Sequence, residues 1–193
     1  MKKIIFKIAL FLLIFVPVNS EIKVISIYEG NIDAKVKLIV YESLTCGHCA
    51  NFHEKVYPDL KKNFIDKNLI KIEFRSFPFD GAGLNAAKIA HCKNDGKSDI
   101  LHFLFKNQKK WAKGNTIEEV NNHITKLLNE ENIDLDFDKC MNDKLIEDHI
   151  LEDRIRAIKK FDINSTPTLI INGEKFDKPL NYKNLKKKLE KLI

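Results

Sequence analysis

The chain has 193 residues, 44% of them hydrophobic, which is enough for one domain with a sizeable buried core. Its formal net charge is +6, but Lys2, Lys3 and Lys7 contribute three of those charges within the first twenty residues, which contain no acid. The remaining charge is spread along the chain without a basic groove motif, so a nucleic-acid-binding protein is not expected.

Residues 1–20 have the pattern of a signal peptide. A basic start is followed by the apolar run Ile8 to Val16 and by small residues that predict cleavage near Ser20. An uncleaved anchor is the alternative, although a membrane span needs about 20 apolar residues. No later segment is apolar enough to span, so we expect a soluble mature protein in an oxidising compartment.

The first predicted elements form a β–α–β unit. Hydrophobic periodicity indicates a short strand over 22–28, a central strand over 36–41, a helix over 50–65 and a strand over 69–77. Pro58 lies inside the helix and predicts a kink there, because proline removes a backbone donor. The two strands that flank the helix are expected to be parallel, with a right-handed crossover.

From residue 85 to residue 160 the periodicity is helical and predicts no strand. One helix in this block begins at Thr116, because Thr116 and Glu119 have the spacing of a capping box.

The last elements are a strand over 168–171, a hairpin turn at Asn172-Gly173, a partner strand near 175–176 and a helix over 182–193. The order β–α–β, helical block, β–β–α predicts an α/β protein with a thioredoxin fold and an inserted helical domain. The expected thioredoxin-like domain is residues 21–84 and 161–193, and the insertion is residues 85–160.

The motif Cys46-Gly47-His48-Cys49 lies between the central strand and the long helix. At a helix N-terminus the unpaired N–H groups and the macrodipole favour a thiolate, so the pKa of Cys46 should fall below the usual value of about 8.5. His48 can add a hydrogen bond or a positive charge, and Cys49 is one turn away. This context favours thiol–disulfide exchange over half of a zinc site.

These residues, together with the leader, the helical insertion and Thr166-Pro167 before a strand, resemble the DsbA-type periplasmic thiol oxidoreductases of the thioredoxin superfamily. The resemblance implies that Cys46 is the nucleophile and that Cys49 resolves the mixed disulfide. It also implies a cis Pro167 that sets the backbone of Thr166 and the exposed side of Gly47 against an extended substrate.

Glu42 is a candidate proton acceptor for Cys49. Many members of the family have a buried carboxylate six residues before the first cysteine, where this chain has Val40. Glu42 is two residues further on and projects from the same face of the strand. The alternative is an ordinary charge at the end of a strand.

Cys92 and Cys140 both fall in the helical block. In an oxidising compartment two remaining cysteines tend to pair, so we expect a structural disulfide between them. Two free buried thiols and a redox relay with the CxxC pair are the other possibilities.

The sequence therefore predicts a secreted oxidase, without cofactor or metal, that donates the Cys46–Cys49 disulfide to unfolded exported proteins. By resemblance it would be a periplasmic monomer, reoxidised by a membrane quinone-linked oxidase of the DsbB kind. Three alternatives stay open: an isomerase or reductase of the same compartment, a peptide-binding chaperone, and a metal carrier.

Overall fold

The computed structural model describes residues 23–193, so the predicted leader and its cleavage near Ser20 lie outside the described residues. Five strands form one mixed sheet in the order β1–β3–β2–β4–β5. Within residues 23–193, no helix combines the length and the apolar character needed to cross a membrane. The strands are β1 Ile27–Gly30, β2 Val36–Glu42, β3 Ile70–Ser76, β4 Thr168–Ile171 and β5 Glu174–Lys175.

Helices cover both faces of this sheet. They are α1 Gly47–Lys55, α2 Tyr57–Leu60, α3 Gly81–His91, α4 Asp99–Lys106, α5 Gln108–Trp111, α6 Ile117–Glu130, α7 Phe137–Asn142, α8 Lys144–Phe161 and α9 Tyr182–Leu189, with a π-helical turn at Lys61–Ile65.

The middle of the sheet is β2, which pairs in parallel with β3 and antiparallel with β4. Side chains alternate along a strand, so its two faces enter different parts of the core. Leu38 and Val40 pack in the larger cluster with Cys49, whereas Tyr41 packs with Ala157 of α8 on the other face. This alternation also assigns Glu42 to the face of Cys49.

The segment predicted as one kinked helix over 50–65 is three helical pieces. The first piece begins at Gly47, and the chain restarts as α2 after Val56. Pro58 lies in the first turn of α2, where a backbone N–H has no carbonyl partner within the helix. The proline therefore removes no helical hydrogen bond there. The interruption expected from Pro58 is therefore present, at Val56, whereas the prediction of one continuous helix over 50–65 is wrong.

The first strand begins later than the predicted 22–28. The N–H of Ile25 donates to the side chain of Asn94 at 2.6 Å, and the N–H of Tyr28 donates to the carbonyl of Gly96 at 3.2 Å. Asn94, in the loop after α3, therefore accepts the hydrogen bond of the Ile25 N–H, and pairing with β3 starts only at Ile27.

Helices α3 to α8 occupy the chain between β3 and β4, where the helical block is predicted. A disulfide joins Cys92, which ends α3, to Cys140 in α7, with 5.2 Å between the Cα atoms. This is the pair expected from the sequence. The described cysteines that remain free are Cys46 and Cys49.

The chain closes with a hairpin and a helix. Asn172 and Gly173 both have positive φ and turn β4 back into β5, as the Asn-Gly signal predicts. The order of elements and the central position of β2 confirm the α/β fold with helices inserted between β3 and β4.

Candidate active site

The topology of the sheet brings the two predicted parts of the site together. The CxxC motif follows the C-terminal end of β2, and Pro167 precedes the first residue of β4. Because β2 and β4 are antiparallel, Thr168 lies opposite Tyr41, near the end of β2. The chain before β4 therefore passes beside the start of α1.

Cys46 is the N-cap residue of α1. Its Sγ accepts a hydrogen bond from the N–H of Cys49 at 3.4 Å, and the thiol form can donate to the carbonyl of Thr166, also at 3.4 Å. A hydrogen bond from the Cys49 side chain lowers the pKa of Cys46 most. The N–H groups of Cys49 and His48 assist, and together they outweigh burial and bring it to about 5.

The environment of Cys49 has the opposite effect. Its side chain is fully buried, and burial raises its pKa far above the usual value for a thiol. The hydrogen bond to Cys46 and the negative charge of Glu42 raise it further. Near neutral pH the pair therefore holds one thiolate, at Cys46, and one proton, at Cys49.

The peptide bond between Thr166 and Pro167 is cis. The carbonyl of Thr166 faces Cys46 Sγ, although the two residues are 120 positions apart. The hydroxyl of Thr166 is buried and makes no hydrogen bond with any residue from 23 to 193. Thr166 and Pro167 thus form one wall beside the nucleophile, where the sequence places them.

Glu42 is not an exposed charge at the end of a strand. The residue is 2% exposed, and its Oε2 is 2.7 Å from Nε2 of His53. Its Oε1 is buried without a hydrogen-bond partner. A buried carboxylate with a free oxygen, close enough to Cys49 to raise its pKa, can accept or return a proton.

Gly47 and His48 are the exposed part of the motif. A Cβ added to Gly47 would meet no atom within 4 Å, so the glycine leaves an open surface beside Cys46. Among the described residues, no hydrogen bond involves the side chain of His48. Its contribution to the lowered pKa of Cys46 comes from its backbone.

Two polar contacts that hold the motif were not expected from the sequence. The side chain of Gln108, buried at the start of α5, donates to the carbonyls of Leu44 at 2.7 Å and Cys46 at 3.0 Å. Thr45 donates to Asp80, whose other oxygen caps α3. Asp80 before Gly81 is a readable N-cap signal, whereas nothing in the sequence around Gln108 indicates that it is buried.

Two histidines near the site belong to no motif in the sequence. His53 and His102 lie 3.2 Å apart, Nδ1 to Nδ1, in line with Glu42. Across residues 23–193, no group of three or more His, Cys, Asp or Glu side chains is arranged to hold a metal ion.

Known proteins are similar to this chain in sequence and in fold. The family model described as Thioredoxin matches residues 23–191. The chain is 32% identical over 148 residues to a putative protein-disulfide oxidoreductase of Rickettsia bellii, which covers 75% of this chain and 56% of the relative. It is 29% identical over 168 residues to the probable disulfide bond formation protein D of Bacillus anthracis, covering 84% of this chain and 76% of that protein.

Among solved structures, alpha-DsbA1 of Wolbachia pipientis superposes with a TM-score of 0.77 at 29% identity, covering 92% of this chain and 93% of that one. The chain spans just over half the length of the Rickettsia relative. The matched model and the DsbA structural neighbour show that the chain belongs to the thioredoxin family and resembles its DsbA-type members.

Proposed function

We propose that the protein is a secreted thiol oxidase that donates the Cys46–Cys49 disulfide to unfolded exported proteins. The observation that carries the proposal is the opposite effect of the fold on the two thiols. The pKa of Cys46 is lowered to about 5, while that of Cys49 is raised. The names of the relatives, protein-disulfide oxidoreductase and disulfide bond formation protein D, support the same chemistry.

The exchange consists of two displacements. A substrate thiolate attacks Sγ of Cys46, the Cys46–Cys49 bond breaks, and Cys49 leaves with the electron pair and takes up a proton. A second substrate thiolate then attacks the substrate sulfur of the mixed disulfide and releases Cys46 as a thiolate. The substrate loses two electrons and gains a disulfide, and the enzyme gains the same two electrons.

The direction of exchange follows from the stability of the reduced pair. A thiolate held at low pKa is a good leaving group and a stable product, so its disulfide is a strong oxidant. This favours an oxidase over the isomerase or reductase alternative. A chaperone would not need the low pKa of Cys46.

The surface beside the sulfur is suited to an extended chain. Thr166 and Pro167 form one side, Gly47 is open, and Phe79 is 50% exposed next to the buried Phe77. An unfolded substrate can lie against this backbone as an added strand. Export through the predicted leader and reoxidation by a DsbB-like quinone-linked oxidase complete the proposal.

A matched pair of variants tests the chemistry. We expect Cys46→Ser to abolish both insulin reduction and peptide oxidation, because the nucleophile is lost. Cys49→Ser should instead accumulate a mixed disulfide with a disulfide-bonded peptide, because Cys46 can still attack that disulfide but the resolving sulfur is lost. Mass spectrometry after acid quenching distinguishes the two results, and a Cys46→Ser variant that still exchanges disulfides would refute the assignment.

The equilibrium constant of the Cys46–Cys49 pair with glutathione tests the direction. An oxidase requires a disulfide that glutathione reduces readily. A disulfide that stays closed against excess glutathione would leave the exchange chemistry intact and identify a reductase.

A further inference from the structure

Four side chains form a continuous hydrogen-bonded line from Glu42, on the Cys49 face of β2, toward the surface. Oε2 of Glu42 is 2.7 Å from Nε2 of His53, and Nδ1 of His53 is 3.2 Å from Nδ1 of His102. Nε2 of His102 is 2.6 Å from Oε1 of Glu29. The line joins β2, α1, α4 and β1, so it is a product of the tertiary fold.

The line leads outward. The exposed fraction of the side chain is 1% at Glu42, 6% at His53 and 25% at His102. His53 and His102 both line a cleft of about 830 Å³ at the surface. The inner end is the free oxygen of Glu42 on the Cys49 face of β2, and the outer end is in contact with solvent.

Glu29 keeps a negative charge at the outer end. Burial alone would raise its pKa, but hydrogen bonds from His102, Ser98 and Tyr57 outweigh burial and lower it to about 2. Nε2 of His102 must therefore carry a proton, because an ionised carboxylate only accepts hydrogen bonds. Lys61, 3.5 Å from Glu29, adds a second positive neighbour.

The remaining surroundings of the two rings are mainly apolar or neutral. His53 stacks on Phe105 with ring centroids 4.1 Å apart, and Tyr57 and Phe74 lie against both histidines. Burial and the nearby Glu29 raise the pKa of Tyr57, which therefore remains a neutral donor. Other charged side chains along the cleft are Glu54, Lys55, Lys62, Asp66, Lys106 and Lys109.

We propose that Glu42, His53 and His102, held by Glu29, form a proton relay that supplies and removes the proton of Cys49 during disulfide exchange. The proposal rests on the proposed function and extends it, since it identifies where the proton on the resolving thiol comes from. His53 and His102 do not touch the reacting sulfurs and act through Glu42.

While Cys46 and Cys49 are joined in the oxidised protein, each of the three gaps in the line holds one proton. When Glu42 is ionised, His53 donates from Nε2 to Glu42, and a doubly protonated His102 donates from both ring nitrogens. Two hops, His102 Nδ1 to His53 Nδ1 and His53 Nε2 to Glu42 Oε2, leave a neutral His102 and a protonated Glu42. The two hops neutralise His102 and Glu42 together, and neither histidine ring has to rotate.

The relay balances the reaction in both directions. When the Cys46–Cys49 bond breaks, the carboxyl group of Glu42 turns to present its proton to the leaving thiolate of Cys49, which takes it. The net change is Cys49 thiolate plus protonated His102 giving Cys49 thiol plus neutral His102. When the pair is reoxidised, the Cys49 proton returns along the same two hops. The change of charge thus occurs at His102, beside solvent, rather than in the core, where an unpaired charge is costly.

The test is the rate at which glutathione reduces the oxidised protein in a single turnover, measured by acid quenching and alkylation. We expect His102→Ala to slow this step roughly tenfold to a hundredfold near neutral pH, the lower part of the range for general acid–base catalysis. Imidazole should restore the rate as its concentration rises, because the vacated position opens onto the cleft. Pyrazole, similar in shape but far less basic, should not.

A control and a second variant isolate the relay. His123→Ala removes a histidine outside the line, which contacts the carbonyl of Lys113, and should exchange at the wild-type rate. His102→Gln can keep hydrogen bonds to both neighbours but cannot carry the proton. It should be slow with an unchanged circular dichroism spectrum and without loss of folding.

The ¹⁵N resonances of the His102 ring give a readout independent of rate. We expect both ring nitrogens to be protonated in the oxidised protein and only one in the reduced protein. Wild-type rates in both His102 variants would overturn the relay. The same protonation of the His102 ring in the oxidised and the reduced protein would also overturn it. Either result leaves disulfide exchange intact. A wild-type protein that exchanges no disulfide with glutathione would refute the proposed function itself.

Discussion

The residues Cys46 and Cys49 are one helical turn apart and hold their protons very differently. Cys46 lies at the helix start with N–H groups directed at its sulfur, while Cys49 points into the core beside a carboxylate. The same motif thereby provides both a nucleophile and a thiol that stays protonated until it is needed. This division of roles is set within a few residues, which explains why the sequence indicates it well.

The first prediction concerns the ionisation of Cys46. In the reduced protein its thiolate absorbance near 240 nm should titrate with a midpoint at about pH 5. Because this pKa is lower than the roughly 8.5 of a free cysteine, the thiolate stabilises the reduced fold fully above about pH 8.5. That contribution is lost as the pH falls toward 5.

Urea unfolding of reduced wild-type protein and of Cys46→Ser checks the sign. The difference in unfolding free energy between them should be larger at pH 8.5 than at pH 4.5. A thiolate midpoint near 8.5, or a difference that does not change with pH, would contradict the lowered pKa.

At the scale of elements, the CxxC loop depends on a helix that is distant in sequence. Gln108 is 8% exposed and satisfies two carbonyls of the loop between β2 and α1. Replacing it with alanine leaves the buried carbonyl of Leu44 without this donor, whereas the carbonyl of Cys46 still accepts from the N–H groups of Cys49 and Ala50. A buried polar group that loses its partner costs about 1 to 3 kcal/mol.

We therefore expect Gln108→Ala to lower the free energy of unfolding by about 1 to 3 kcal/mol, measured by urea denaturation. Lys109→Ala, an exposed neighbour on α5, is the control and should change it by less than about 0.5 kcal/mol. Equal stability of the two variants would mean that the amide does not support the loop.

Local signals gave several elements correctly and missed others. Thr116 accepts the N–H of Glu119 as predicted, but the carboxylate of Glu119 accepts from Asn115 instead of returning to Thr116. Asn172 and Gly173 specify their own turn by positive φ. The start of β1 depended on Asn94, a long-range partner that no local pattern can identify.

At the scale of the whole molecule, a covalent bond joins parts of the helical block. The Cys92–Cys140 disulfide closes a segment with a sequence separation of 48 residues. In the chain-entropy model, a loop of this length gives about 4 kcal/mol, because the crosslink restricts the unfolded chain.

The third prediction uses a Cys46→Ala/Cys49→Ala background, in which a reductant can act only on this bridge. We expect reduction to lower the unfolding free energy by about 4 kcal/mol, measured by urea denaturation with and without dithiothreitol. Adding Cys92→Ala and Cys140→Ala should remove the response to the reductant. An unfolding free energy that the reductant leaves unchanged would contradict the structural role.

The order of strands and helices and the cysteine motif were predictable because each has a local pattern. The chain of side chains behind Cys49 was not. His53 and His102 come from different helices, and nothing in the sequence around them distinguishes them from surface histidines. Only the packing of α4 against α1 brings their rings within 3.2 Å.

The distance in sequence between Cys46 and Thr166 also affects the timing of maturation. Synthesis proceeds from the N-terminus, so Cys46 leaves the ribosome 120 residues before the carbonyl that faces it. Until that later segment arrives, the growing polypeptide carries a cysteine pair without the wall formed by Thr166 and Pro167. The surroundings of Cys46 are therefore complete only when β4 has joined the sheet.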